Sequence, residues 1–103
     1  KEIANSLITA LEGGSLYWIS DIAKLGYTRD GALDLPTILT EDETGKVFEI
    51  TEEKIQVGLV LMAKRYPKIF AEEFPENEND YNGDANSADV FLQMCVFGEL
   101  VYG

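Results

Sequence analysis

The feature that decides the fold is the stretch of residues 38–67, which reads ILTEDETGKVFEITEEKIQVGLVLMAKRYP. Two short runs rich in β-branched and aromatic side chains flank the acidic turn 41–45, and this pattern predicts a β-hairpin over about residues 35–50. Thr51 follows as a good N-cap, with two glutamates placed where the helix dipole favours negative charge. Apolar side chains then recur at helical spacing up to a proline, so we predict a helix over about residues 52–66. A hairpin that runs directly into a helix indicates the α+β class.

The N-terminal part of the chain contains one clear element and one ambiguous one. An apolar stripe at i, i+4 and i+8 predicts an amphipathic helix over about residues 2–12. The double glycine at 13–14 is expected to end this helix, with one glycine in the left-handed conformation of a C′ residue. Residues 15–27 are ambiguous, and their pattern fits an aromatic loop that passes into a short helix ending at Gly26.

The C-terminal part predicts the centre of the domain. Residues 88–97 are apolar nearly all round, which is typical of a helix buried in the middle of its domain, and Ser87 is expected to cap it. Cys95 is then expected to be an inert core thiol. We predict a single domain over 1–103, in which a small antiparallel sheet (the hairpin at about 35–50 and a short strand at about 99–102) packs against about three helices, at about 2–12, 52–66 and 88–97.

The composition excludes several classes of function. The 103 residues carry 8 Lys plus Arg against 19 Asp plus Glu, which gives a formal net charge of −11. This charge disfavours direct binding to nucleic acid, for which a basic face is needed. The absence of histidine and the single cysteine exclude His- or multi-Cys-ligated metal sites, and also Ser-His and Cys-His nucleophiles. We therefore predict no catalytic residues, no metal and no cofactor.

The sequence also bears on location and assembly. No apolar run reaches the roughly 18–20 residues that a membrane-spanning helix needs, and no pattern of a signal peptide is present. We therefore expect a cytoplasmic protein that makes no contact with a membrane. The small size and the apolar C-terminal strand allow either a monomer or a homodimer paired at strand edges.

Carboxylates are concentrated at the hairpin tip and in the stretch 71–86, which has no Lys or Arg. A stretch of like charges repels itself and stays on the surface. Surface carboxylates can steer a protein onto a basic cleft, so we predict a partner protein with a basic surface. The alternative is that the charge only keeps a small protein soluble. The residues predicted to form this acidic surface are Glu41, Asp42, Glu43, Glu72, Glu73 and Glu76.

Four further residues are candidates for binding. Tyr17 and Trp18 could anchor a partner or stack on a base or sugar, although such residues more often belong to the core. Asp89 and Gln93 lie four residues apart, on one side of an otherwise apolar helix. That side either meets water or forms the polar floor of a pocket, in which Asp89 accepts hydrogen bonds from a ligand.

Residues 78–89 partly match the twelve-residue calcium loop. Oxygen-bearing side chains fall at positions 1, 3, 5, 7, 9 and 12 of the loop, and Gly83 falls at the turn position. However, Glu78 replaces the usual Asp, Ala85 replaces an aliphatic residue, and Asp89 is shorter than the usual final Glu. Because Asn, Asp and Gly are common in any turn, an ordinary acidic surface loop is the preferred interpretation.

Both ends of the chain resemble a family of small proteins encoded by phages and prophages. Residues 10–18 read ALEGGSLYW and are similar to the ALEGG-x-x-YW start of that family, with Leu16 where the family often has Asn. Residues 88–103 are similar to its AD…Q…FGE-x-VYG end. The resemblance implies a phage or mobile-element setting and no particular activity.

Together these observations favour a small acidic accessory protein that acts by binding. We expect it to sequester or inhibit a host protein, such as a component of defence or of nucleic-acid handling. Two alternatives stay open. One is the sequestration of a nucleotide-type small molecule by Tyr17, Trp18, Asp89 and Gln93, and the other is a structural or assembly role in the virion.

Overall fold

The computed structural model describes residues 2–27, 29 and 33–103. It confirms the α+β class, since a small antiparallel sheet packs against helices. The strands are β1 (Ile19–Tyr27), β2 (Leu33–Glu41) and β3 (Val47–Ile50), and the helices are α1 (Glu2–Thr9), α2 (Glu52–Arg65), α3 (Pro67–Glu73) and α4 (Ala85–Phe97), with a π turn at Ala10–Gly14 and a 3₁₀ turn at Glu78–Asp80.

The predicted hairpin is confirmed as β2 and β3. Their antiparallel register runs from Thr37 opposite Ile50 to Thr40 opposite Val47. The connecting turn is closed by the Glu41 amide, which donates to the Lys46 carbonyl over 2.8 Å. The order of the described strands is β1-β2-β3, so β2 is the central strand.

Strand β1 was not predicted, and it occupies most of the segment that was ambiguous in the sequence. The reason is its irregular pairing with β2, which shifts register between Ile19 and Asp21, between Ile22 and Lys24, and between Lys24 and Gly26. Each irregularity inserts or removes a residue relative to strict alternation. The apolar residues therefore do not recur with the period of two by which a strand is recognised.

The C-terminal strand predicted at 99–102 is wrong, because residues 98–103 have no strand conformation. The amides of Val101 and Tyr102, which a strand would use for pairing, both donate to the side-chain carbonyl of Gln93 at 2.9 Å. One side chain of α4 therefore replaces a neighbouring strand as the partner of this segment.

Helix α3 was not predicted, and the other helices differ from the predictions mainly at their ends. The first helix continues from α1 into the π turn and ends at the double glycine, as predicted, but neither glycine has the positive φ that was expected. Helix α4 begins three residues earlier than predicted, because Asp84 is its N-cap and Ser87 completes a capping box. In that box the Asp84 side chain accepts from the Ser87 amide at 2.9 Å, and Ser87 Oγ accepts from the Asp84 amide at 2.7 Å.

Helix α4 is the centre of the protein, as predicted, and every residue from 87 to 96 is buried. Helix α2 packs closely on it, because a Cβ atom added at Gly58 would lie 2.6 Å from Cys95 Sγ. Burial raises the pKa of the Cys95 thiol to about 12, which agrees with an inert core thiol. Within the described residues, no helix combines the length and apolarity that are needed to cross a membrane.

Candidate functional site

The centre of the candidate site is the carboxylate of Asp89, which is only 3% exposed. Its Oδ1 accepts hydrogen bonds from Ser15 Oγ at 2.6 Å and from Trp18 Nε1 at 2.8 Å. Its Oδ2 accepts from Tyr17 OH at 2.5 Å and from Gln93 Nε2 at 3.0 Å. Four donors converge on two oxygens, so the cost of burying this carboxylate is offset by hydrogen bonds.

The π turn brings three of these donors to α4. The Ser15 amide donates to the Ala10 carbonyl, five residues back, at 2.8 Å, and this wider turn directs the following residues 15–18 towards α4. The backbone also approaches α4 closely at Gly14, where an added Cβ atom would lie 2.5 Å from the Ala85 carbonyl oxygen. A glycine is therefore required at this position by the contact and not by its backbone angles.

Gln93 joins the same network to the C-terminal segment. Its Oε1 accepts from the amides of Val101 and Tyr102, and its Nε2 donates to the Tyr102 carbonyl at 3.2 Å as well as to Asp89. The ring of Tyr102 then stacks on Trp18, with a centroid separation of 5.7 Å and an interplanar angle of 5°. The last residues of the chain are thus fixed on top of the Asp89 network.

Tyr102 also links the network to the hairpin tip. Its hydroxyl donates to the Glu41 carboxylate and lies 3.3 Å from Glu43 Oε2. Thr44 Oγ1 donates to Glu41 at 2.6 Å, and this bond together with that of Tyr102 lowers the pKa of the Glu41 carboxyl. The same contact with Glu41, together with desolvation, raises the pKa of the Tyr102 hydroxyl. Three segments that are distant in sequence therefore form one connected unit.

The structure brings all four candidate binding residues together, and it places Trp18 in the core, which is the commoner position for such a residue. Asp89 and Gln93 do not meet water, because both are buried. Trp18 is buried as well, in contact with the rings of Tyr102 and Phe97. A base or sugar could stack on Trp18 only by displacing Tyr102, and the Asp89 oxygens are already occupied by protein donors.

Tyr17 is the exception among the four. Tyr17 is 57% exposed although its hydroxyl bonds to Asp89. Desolvation and this hydrogen bond raise the pKa of the Tyr17 hydroxyl to about 12. Tyr17 thus presents an aromatic face to solvent from a fixed position.

Other exposed side chains lie on the segments that meet at Tyr17. The amide of Asp42 donates to the Trp18 carbonyl at 2.8 Å, which places the hairpin tip against the turn 15–18. Among the exposed residues of these three connected segments, which also include Lys46, we define the turn–tip surface as Leu16, Tyr17, Asp42, Glu43 and Val101. It combines apolar and aromatic side chains with two carboxylates.

The predicted acidic surface divides into two parts. Asp42 and Glu43 are exposed on the turn–tip surface, but Glu41 is buried by its bonds to Thr44 and Tyr102, so its placement on an open surface is wrong. Glu73 is also buried, and its Oε1 accepts from Ser87 Oγ at 2.5 Å and from Tyr81 OH at 3.4 Å. The two remaining acids, Glu72 and Glu76, lie on either side of Glu73 in sequence, and Glu76 is exposed.

The calcium-loop pattern does not form a loop around one centre. Asp89, its last position, is directed into the network described above, and Asp84 is used to cap α4. Among the described residues, no group of three or more His, Cys, Asp or Glu side chains is arranged to hold a metal ion.

Sequence reasoning missed two members of the site, Ser15 and Tyr102. A signal was available, since a buried Trp Nε1 or Tyr hydroxyl needs an acceptor, and Asp89 is the only carboxylate within the apolar run 88–97. That argument would have joined the aromatic turn to α4.

Comparison of the chain with family models, with curated proteins and with solved structures finds no match.

Proposed function

We propose that this chain is a small accessory protein of a phage or mobile element, which acts by binding and without catalysis. Its target is a host protein with a basic surface, such as a component of defence or of nucleic-acid handling, which it sequesters or inhibits. The observation that carries this proposal is the turn–tip surface, where exposed apolar side chains and carboxylates are held together by a fully hydrogen-bonded network.

The composition of the turn–tip surface suits a protein partner. Interfaces typically have an apolar centre surrounded by a polar rim, and tyrosine is enriched among the residues that contribute most to affinity. Here Tyr17, Leu16 and Val101 supply exposed apolar area, while Asp42 and Glu43 supply negative charge beside it. A basic partner would therefore satisfy both components of the surface.

The buried network favours tight binding because it fixes the surface in advance. Binding costs free energy when side chains or loops must become ordered, and a preorganised surface avoids part of that cost. The hydroxyl of Tyr17 is anchored on Asp89, and Val101 is anchored through its amide on Gln93. The exposed parts of both residues are thus presented by buried bonds.

The net charge of −11 supports a basic target over an acidic one. Long-range attraction raises the rate of association with an oppositely charged protein, and salt weakens that attraction. The same charge opposes direct binding to a nucleic acid backbone. A protein that covers a nucleic-acid-binding cleft in another protein is consistent with both effects.

The proposal is tested by affinity capture from bacterial lysate, with quantitative mass spectrometry of what is retained at increasing salt. Four baits are compared: the wild type, D42N/E43Q, L16S/V101S and, as a matched control, E78Q/D80N. The control also removes two negative charges, but from exposed residues of the 3₁₀ turn that are not part of the turn–tip surface. We expect one stoichiometric protein that elutes as salt rises, is lost from D42N/E43Q and L16S/V101S, and is retained by the control.

Other outcomes would contradict the proposal in distinct ways. Equal loss from D42N/E43Q and E78Q/D80N would mean that only net charge matters and that no specific surface is used. A partner retained equally by all four baits would place the interface elsewhere. Absence of any stoichiometric partner would remove the proposal and leave the alternatives of a small-molecule ligand or a virion component.

A further inference from the structure

The outer face of α2 carries apolar side chains that nothing in the described part of the chain covers. Val57 is 51% exposed and Val60 is 65% exposed. Together with Gln56 and Leu61 they line a shallow cleft of about 280 Å³. Large side chains exposed as a cluster on a surface helix often mark a site of association.

This face is a narrow stripe opposite the packed side of the helix. Ile55, Gly58 and Met62 are buried against the core. At about 100° per residue, Glu53, Val57, Val60 and Lys64 all project within about 60° of one another on the other side. Glu53 and Lys64 are both exposed, and neither forms an ion pair within the described part of the chain.

The residues of the stripe are placed symmetrically about its midpoint. The valines correspond to each other, and the charged residues at the two ends have opposite signs. Glu53 and Lys64 are equally distant from the midpoint between Gly58 and Leu59, and so are Val57 and Val60. The same midpoint relates Glu52 to Arg65. A stripe with acid at one end, base at the other and valines between is complementary to itself when one copy is turned end to end.

The charge around α2 also differs from that of the rest of the protein. Residues 52–68 contain two carboxylates and four cations, a balance of +2, whereas the whole chain carries −11. Contact between two copies through any strongly acidic surface is opposed by repulsion. The outer face of α2 is therefore a region where two copies can approach with little electrostatic penalty.

We propose that this face binds a second copy of the chain, with the two α2 helices antiparallel about a two-fold axis. Glu53 of each copy then lies opposite Lys64 of the other, and Val57 lies opposite Val60. A helix of 14 residues is about 21 Å long, so one helix pair buries less area than a typical stable interface. We therefore expect a dimer that dissociates on dilution. The pairing uses no residue of the turn–tip surface, so this inference does not depend on the proposed function.

The test is analytical ultracentrifugation over a range of protein concentrations near physiological salt, on the wild type and three charge variants. E53K and K64E each replace two attractive pairs by two repulsive ones, so we expect each to lower the association constant by about tenfold or more. E53K/K64E restores both pairs with reversed sign, and its association constant should return to within about threefold of wild type.

Two controls separate this effect from general charge and from folding. E53K makes the chain less negative, which by itself would favour association, so weaker association of E53K identifies a specific pair. E76K changes the net charge equally at an exposed site outside α2 and should not weaken the dimer. The variant V57S/V60S should be monomeric, and circular dichroism should show that all variants are folded.

A wild type that stays monomeric at the highest concentration measured would overturn the inference. So would a wild-type dimer in which E53K and K64E have no effect, or one in which the double variant fails to recover. Failure of the double variant to recover would mean that the face contacts a different surface of the second copy and not the same helix.

Discussion

Asp89 and Glu73 are both 3% exposed, Asp89 within the first turns of α4 and Glu73 in contact with Ser87 of the same helix, yet the protein surrounds them differently. Asp89 has donors on both oxygens, four in total. The two donors to Glu73, Ser87 Oγ and Tyr81 OH, converge on its Oε1, and the Tyr81 contact is long at 3.4 Å. Two carboxylates that are equally buried can therefore differ in how many hydrogen bonds they accept.

The two carboxylates also differ in what they connect. The donors Ser15, Tyr17 and Trp18 are more than 70 residues from Asp89 in sequence. Those of Glu73 are 8 and 14 residues away. Asp89 thus joins the two ends of the chain through α4, whereas Glu73 holds the adjoining loop onto the same helix. A long-range connection has the larger effect on stability, because its loss releases a larger part of the fold.

The largest expected effect is that of D89A. Removing the carboxylate leaves the buried hydroxyl of Ser15 and the buried indole N–H of Trp18 without an acceptor, and we expect a loss of about 3–4 kcal/mol in the free energy of unfolding. E73A removes fewer and more local bonds and should cost about 1–2 kcal/mol. Urea denaturation of both variants measures the difference. If E73A costs as much as D89A, the number of donors is not what distinguishes the two sites.

The next effect concerns how the donors are brought to Asp89. In G14A the new Cβ atom would lie 2.5 Å from the Ala85 carbonyl oxygen, so the π turn must move away from α4, and we expect a loss of about 2–3 kcal/mol. G13A is the matched control, because no atom lies within 4 Å of its Cβ position. It should be neutral or slightly stabilising. Equal thermal stability of the two variants would contradict the close approach.

A smaller and more local effect is expected from Q93M. The methionine fills the same space, but it cannot accept from the amides of Val101 and Tyr102. We expect a loss of about 1–2 kcal/mol and a selective loss of hydrogen-exchange protection at these two amides. E73Q, which keeps an acceptor for Ser87, should leave their protection unchanged. Protection that survives in Q93M would mean that the segment is fixed by the stacking of Tyr102 on Trp18.

Several features of α4 and of the Asp89 site could be predicted from the sequence, and there are physical reasons why the others could not. The burial of α4 follows from its apolar composition, and the spacing of Asp89 and Gln93 indicated that they act together. Whether that polar side faced water or the interior was decided by donors some 70 residues away, which local patterns do not reveal.

Two incorrect predictions have a similar explanation. A glycine that ends a helix is usually left-handed, yet Gly14 has no positive φ and is needed for contact with Ala85, which no local pattern encodes. The segment 99–102 has the composition of a strand, but its amides bind the side chain of Gln93. In both cases a tertiary contact with α4 overrides the local preference.

The smallest expected effect is that of Y17F, and its dependence on pH is more informative than its size. The pKa of the Tyr17 hydroxyl rises from 10.0 to about 12 in the fold, because desolvation and the bond to Asp89 both favour the neutral form. The stability that this bond contributes is therefore fully present below pH 10 and is lost as the pH rises towards 12. Because the ring is exposed, we expect Y17F to cost less than about 1 kcal/mol at neutral pH. Its deficit relative to wild type should shrink across that alkaline range in urea denaturation, since ionised Tyr17 would place a second negative charge beside Asp89.

Y81F provides the comparison at Glu73, where the pKa of Tyr81 is raised by burial and by the carboxylate. A deficit of Y17F that is independent of pH would mean that the hydroxyl of Tyr17 does not bind Asp89 in solution.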